Sequence, residues 1–169
     1  MRLFIAIPLN DEQKRLVRKV QAAFRSVGVR GNYTPEENLH LTLAFIGEFG
    51  DPDRVLEAME TVRQVPFSIA MDQLGHFDDL WWMGYAESPE LNRLAGQLRH
   101  ALSDAGIPFD RKRFLPHVTV LRRAQIPPRG QMPRVSVSPQ SMRADRICLL
   151  SSTRGKSGMI YREEGSLLL

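Results

Sequence analysis

Two short segments constrain this chain more than any other feature: His40-Leu41-Thr42-Leu43 and His117-Val118-Thr119-Val120. Each sets a histidine and a threonine two apart inside an apolar run. In a β-strand alternate side chains share a face, so His and Thr stand together on one side. Leu41 and Leu43, like Val118 and Val120, then point the other way into a core. The context repeats as well. Phe4 precedes His40 by 36 positions and Trp82 precedes His117 by 35, and each half reads as strand, helix, loop and a strand carrying His-x-Thr. A plan repeated at half the chain length points to two related lobes. The fold class it predicts is α+β, with two sheets packed on helices rather than one doubly wound sheet.

Hydrophobic periodicity supplies the other elements. Leu3 to Ile7 is a short apolar strand closed by Pro8. Asn10 reads as a helix N-cap with Gln13 completing a capping box, and Leu16, Val17, Val20, Phe24 and Val27 recur at helical spacing up to Gly28. A loop covers Asn32 to Asn38, and the first histidine strand runs from Leu39 to Ile46. A second helix starts near Asp53, carrying Val55, Leu56, Met59 and Val62 on one face, and a strand follows over Phe67 to Met71. In the second half Trp81 to Ala86 is a strand. Ser88 and Pro89 open a helix whose stripe runs through Leu91, Leu94, Leu98, Ala101, Leu102 and Ala105 to Gly106. The second histidine strand follows over Phe114 to Leu121. A proline-rich connector separates it from three more strand segments, near Val135 to Val137, Ile147 to Leu150 and Met159 to Tyr161.

If the lobes are related by a pseudo-twofold axis, the two His-Thr pairs can face each other across a cleft. Two imidazoles so placed suit a reaction in which one proton is taken and another given, because histidine holds both protonation states near neutral pH. The threonine hydroxyls are suitable donors to non-bridging phosphate oxygens. Arg122 would add charge-assisted hydrogen bonds to an anion. Strand parity puts it on the face opposite His117, so a bulge or a strand end has to redirect it.

Composition narrows the classes. The chain holds four histidines and one cysteine, so a multi-ligand zinc site would consume almost the whole supply and an internal disulfide is impossible. Its 23 Lys+Arg against 19 Asp+Glu permit an anionic partner without demanding one. The first apolar run is too short for a signal-peptide core or a membrane span, and a cytosolic protein is the expectation.

The two His-x-Thr-x segments resemble the paired motifs of the 2H phosphoesterase superfamily. Arg2 to Ile7, Asn38 to Gly47, Phe114 to His117, and the tail from Leu150-Ser151-Ser152 through Gly158 and Tyr161 resemble its RNA 2′,3′-cyclic phosphodiesterase branch, historically called 2′-5′ RNA ligases. The resemblance runs through nearly the whole chain, with Val118 and Val120 standing where Ile and Leu are more usual. It implies one domain over residues 1–169, built of two interwoven lobes with pseudo-twofold symmetry. Two antiparallel or mixed sheets face a central cleft, and the helices lie outside. It further implies hydrolysis of RNA or nucleotide 2′,3′-cyclic phosphates to 2′-phosphomonoesters, with no metal and no cofactor; separately, a monomer that needs no membrane is the expectation. By motif position His40 would protonate the departing 3′ oxygen and His117 would activate water. Thr42 and Thr119 would hold the phosphate oxygens, with Arg122 nearby.

Other features read as structural. His76 follows a glycine and reads as a turn residue, and His100 lies off the apolar stripe of its helix. Cys148 behaves as a small core hydrophobe. Gly155-Lys156-Ser157 has no glycine where a phosphate-binding loop needs one and reads as a polar hairpin near the substrate. Arg111-Lys112-Arg113, with Arg122 and Arg123, either steers an RNA backbone or is a solvated loop. Phe4, Trp81 and Trp82 either stack a base or belong to the core. Two further functions stay open at this point: 2′-5′ ligation of tRNA halves at the same site, and a non-catalytic module that binds RNA ends or phosphate.

Overall fold

β1 (Arg2–Pro8) is buried on both faces because every residue from Leu3 to Ile7 is apolar. Leu3, Ile5 and Ile7 enter the main core, while Phe4 and Ala6 join a small second cluster on the other side. The structure, a computed structural model, describes all residues 1–169. After β1 come α1 (Asp11–Ser26), β2 (Arg30–Tyr33), a 3₁₀ turn (Glu36–Asn38), β3 (His40–Glu48) and α2 (Pro52–Glu60). Then follow β4 (Phe67–Phe77), β5 (Leu80–Tyr85), α3 (Pro89–Asp104), β6 (His117–Gln125), β7 (Gln140–Ala144), β8 (Arg146–Gly155) and β9 (Gly158–Leu168). No helix is long and apolar enough to cross a membrane.

The strands form two wholly antiparallel sheets, ordered β3-β1-β8-β9 and β2-β6-β5-β4-β7. With β2 set aside, the two orders correspond strand for strand, which is the α+β, pseudo-twofold arrangement expected. The correspondence corrects one detail. Thr42 pairs with Ala6 and Thr119 with Trp82, so the partner of Trp82 in the first lobe is Ala6 rather than Phe4.

The helices cross over. α1 links β1 to β2 ahead of β3, yet it packs on β6 and β7 of the other sheet. α3, which links β5 to β6, packs on β3 and on α2, whose own contacts are with β8 and β9. Phe24 of α1 is fully buried against Trp81 of β5, ring centroids 5.5 Å apart. Truncating such a side chain costs about 3–5 kcal/mol.

Two buried glutamines fasten α1 to its sheet. Asn10 does cap the helix, accepting from the Gln13 N–H at 2.9 Å, but Gln13 does not complete a capping box. Its side chain is instead fully buried. Nε2 donates to the carbonyls of Ile69 and Gln140, and Oε1 accepts from the Tyr85 hydroxyl. Gln21 Nε2 donates to the carbonyls of Thr34 and Val120. A buried amide is tolerated only when satisfied in this way.

Several element boundaries differ from expectation. β2 falls partly inside the segment expected to be a loop. Val135 to Val137 forms no strand, and the edge strand lies later, at β7. Pro133 and Pro139 bracket the Val-Ser-Val alternation and limit backbone pairing there. β4 continues through Phe77, so His76 is a strand residue paired with Trp81, stacked on its indole at 4.4 Å.

Candidate active site

β3 and β6 approach each other where the two sheets meet, and both carry the same irregularity. On β3, Thr42 pairs with Ala6 and Ala44 with Ile5, leaving Leu43 as an extra residue. On β6, Thr119 pairs with Trp82 and Leu121 with Trp81, leaving Val120 extra. Each is a β-bulge at the fourth position of a His-x-Thr-x segment. Two successive residues are therefore buried, Leu43-Ala44 and Val120-Leu121, and alternation resumes out of phase. Phe45 and Arg122, each five places beyond the histidine, are turned onto the His-Thr face. The bulge thus supplies the redirection that strand parity demanded of Arg122.

The bulge on β6 is reinforced. The Val120 carbonyl accepts from Gln21 Nε2 and from the Thr34 N–H, each at 3.1 Å. A second irregularity follows, where β2 pairs Asn32 with Arg122 and Arg30 with Gln125, and Arg123 adopts φ 55°. β2 lies close because Gly31 has no side chain. A Cβ there would come within 2.7 Å of the Arg122 carbonyl oxygen.

His40, Thr42, Phe45, His117, Thr119 and Arg122 line one cleft of about 440 Å³. Arg2, Phe4, Thr34, Asn38, Asp110, Ser152 and Tyr161 complete much of its wall. The His40 side is aromatic. Tyr161 lies 6.0 Å from His40 and 5.0 Å from Phe4, and Phe4 stacks on Phe45 at 6.1 Å. On the other side Trp82 and Phe77 stand edge-on to His117 at 6.5 and 6.4 Å. Beyond His117 opens a further cavity of about 680 Å³, with Gln73, Asn92, Arg99 and Phe114 in its wall.

The two imidazoles are held differently. His117 Nδ1 lies 2.6 Å from the Leu115 carbonyl oxygen. A carbonyl can only accept, so Nδ1 carries the proton and, in the neutral ring, Nε2 is a free acceptor. His40 Nδ1 is shielded from solvent and makes no well-formed hydrogen bond, although the Asn38 backbone carbonyl lies beside the ring. Burial pushes the His40 pKa below the usual histidine range; the Asn38 carbonyl and Glu163 oppose that shift, and Lys14 and Arg146 add to it.

The remaining sequence assignments sort clearly. His100 is exposed on α3, 3.2 Å from Asp104. Cys148 is buried beside Phe4, Ala6 and Leu150, and burial pushes its thiol up to about 12. Phe4 lines the cleft although it is buried, Trp82 lines the cavity beyond His117, and Trp81 belongs to the core packing. The basic cluster divides. Arg111 lies over the Phe109 ring and Arg113 faces the 680 Å³ cavity, whereas Arg122 and Arg123 lie on the other side of the cleft. No three His, Cys, Asp or Glu side chains are grouped as metal ligands would be. Phe45, Thr34 and Gln21 were not singled out from sequence. Phe45 was discoverable, since it occupies the position after the first motif that Arg122 occupies after the second.

Known proteins resemble this chain in sequence and fold. The RNA 2′,3′-cyclic phosphodiesterase of Thermotoga maritima is 32% identical over 174 residues, covering 96% of this chain and 92% of its own. The Archaeoglobus fulgidus protein of the same name is 35% identical over 130 residues, 72% of each chain. The crystal structure of Escherichia coli LigT complexed with 3′-AMP superposes with a TM-score of 0.82 at 27% identity, covering 99% of this chain and 97% of LigT. Residues 9–156 match the model of the 2′-5′ RNA ligase superfamily, and the chain belongs to that family.

Proposed function

We propose that the chain hydrolyses 2′,3′-cyclic phosphate ends of RNA, and the corresponding cyclic nucleotides, to 2′-phosphomonoesters. The observation that carries this reading is the convergence of both His-Thr pairs and Arg122 on one cleft from two different sheets. In-line displacement at phosphorus needs a base beside the entering oxygen and an acid beside the departing one, roughly opposite each other. His117 suits the base, because the Leu115 carbonyl fixes its tautomer with Nε2 bare. It takes a proton from water as the water oxygen bonds to phosphorus. His40 gives its Nε2 proton to the 3′ oxygen as the P–O3′ bond breaks. Proton exchange with solvent then resets both rings.

Thr42 and Thr119 donate to the non-bridging oxygens, and the Arg122 guanidinium balances charge building there. Burial disfavours the charged acid form of His40, and the arriving phosphate anion offsets this because an opposite charge nearby favours the imidazolium. Acid–base transfer of this kind is worth about 10²–10⁴ in rate per group. The reading takes the enzyme to be metal-independent, monomeric and cytosolic, in keeping with its single buried cysteine.

The decisive experiment incubates the protein, with EDTA present, with an RNA ending in a 2′,3′-cyclic phosphate and identifies the product isomer. A 2′-phosphate is expected. A 3′-phosphate would overturn the leaving-group assignment, and loss of activity in EDTA would overturn the metal-free mechanism.

A further inference from the structure

Next to the catalytic cleft a second groove of about 630 Å³ runs between the end of β6 and the β8–β9 hairpin. It shares Thr34, Asn38, Arg122, Met159 and Tyr161 with the cleft, so the two form one continuous surface. Four cations line it: Arg122 and Arg123 from β6, and Arg154 and Lys156 from the hairpin. No acidic side chain lines it, and none of the four takes part in an ion pair or a side-chain hydrogen bond. The chain as a whole carries a net charge of only +4, so this is a local concentration rather than a share of general basicity.

The backbone sustains that concentration. The left-handed turn at Arg123 and the bulge before it place two consecutive arginines on one groove. The Asn38 amide donates to the Met159 carbonyl and fastens the hairpin to the segment leading into His40. The larger cavity beyond His117 differs in kind. It contains Glu87, and the Arg99 guanidinium there already donates to the Lys112 carbonyl and lies over the Phe109 and Phe114 rings.

We infer that this groove is the track for the RNA backbone: the phosphates on the 5′ side of the terminal nucleotide lie along Arg123, Arg154 and Lys156 while the cyclic phosphate sits in the cleft. Unpaired cations lining a groove bind successive phosphates of a single strand without reading sequence. The inference rests on the cyclic-phosphate reading of the cleft and adds the source of preference for RNA ends over free cyclic nucleotides.

The test compares the wild type with the double variant Arg154→Gln/Lys156→Gln. One arm measures turnover of 2′,3′-cyclic AMP and of a ten-nucleotide RNA ending in 2′,3′-cyclic phosphate. The other measures binding of a fluorescent ten-nucleotide RNA ending in 2′-phosphate, by anisotropy across a salt series, and binding of ATP alongside it. The variant should weaken RNA binding about tenfold, and the slope of log affinity on log salt should become shallower by about 1.4. The KM for the RNA substrate should rise in step while turnover of cyclic AMP stays within twofold. Unchanged RNA affinity would overturn the inference, as would an equal loss on both substrates. Weakened ATP binding with RNA binding intact would overturn it too, giving the groove to a free polyphosphate. If the wild type hydrolyses neither substrate but RNA binding still depends on Arg154 and Lys156, the catalytic reading falls and the groove stands.

Discussion

The two halves of the cleft share a backbone and differ in what they display on it. β3 and β6 each open with histidine, carry threonine two residues on, and bulge at the next residue. From that point the first delivers Phe45 and the second Arg122. The histidines diverge in the same way. His117 Nδ1 is tied to the Leu115 carbonyl at 2.6 Å, whereas His40 Nδ1 is shielded with no well-formed hydrogen bond to the Asn38 carbonyl beside it, and burial holds its imidazole below the usual range. A repeated scaffold fixes where the groups stand, and the few non-equivalent residues around it give them different surroundings.

The sharpest way to break that division is to remove each histidine. His40→Ala and His117→Ala should each lower kcat for 2′,3′-cyclic AMP by about 10²–10⁴. The two are separable with a substrate whose 3′ bridging oxygen is sulfur. A thiolate leaves without needing a proton, so activity should return to His40→Ala and not to His117→Ala. Recovery in the other variant would exchange the two roles.

The next effect concerns the paired residues beyond the bulges. Arg122→Ala removes charge-assisted hydrogen bonds worth about 1.5–3 kcal/mol, or roughly 10- to 150-fold in kcat/KM. Phe45→Ala should change kcat/KM far less. Equal losses would mean that the two positions are functionally as well as structurally equivalent.

Gln21→Leu tests the support that only the second strand has. It removes a donor to the Val120 carbonyl and should destabilise the fold by about 1–3 kcal/mol, read as a lower midpoint in urea. Once Gln21 is lost, the further cost of Arg122→Ala should shrink, because Arg122 is no longer held in place.

The smallest effect is in pH. If His40 is the acid, the alkaline limb of kcat/KM should lie below the usual histidine value, since burial lowers its pKa. Glu163→Gln should move that limb to lower pH and Lys14→Gln to higher pH. The same shift acts on stability. The unfolded chain binds a proton at His40 more readily than the folded one, so stability should fall as pH drops through the ordinary histidine range. A limb above that range would contradict the burial of His40.

Much of this was legible in the sequence because the governing signals are local. Alternation in His40 to Leu43 and His117 to Val120 shows which side chains share a face, and apolar spacing marks all three helices. What escaped depends on partners distant in the chain. Gln13 looks like half of a capping box until Ile69, Gln140 and Tyr85 surround it. Arg30 to Tyr33 is too polar to read as a strand and becomes one only as the edge partner of β6. Val135 to Val137 has strand-like alternation and no strand beside it. The bulges lie between these cases. The parity of Arg122 called for a bulge or a strand end on β6, but the matching bulge on β3 became visible only through the pairing with β1.

The crossed helices have a consequence for the molecule as a unit. α1 covers the sheet that carries His117, α3 lies on the strand that carries His40, and each sheet draws strands from both halves of the sequence. A chain divided near the exposed Glu87 would therefore yield two fragments, each holding strands of both sheets and neither sheet whole. The two histidines would be expected to meet only when both fragments fold together, so reconstitution of the cleft becomes a direct report on the assembly of the whole.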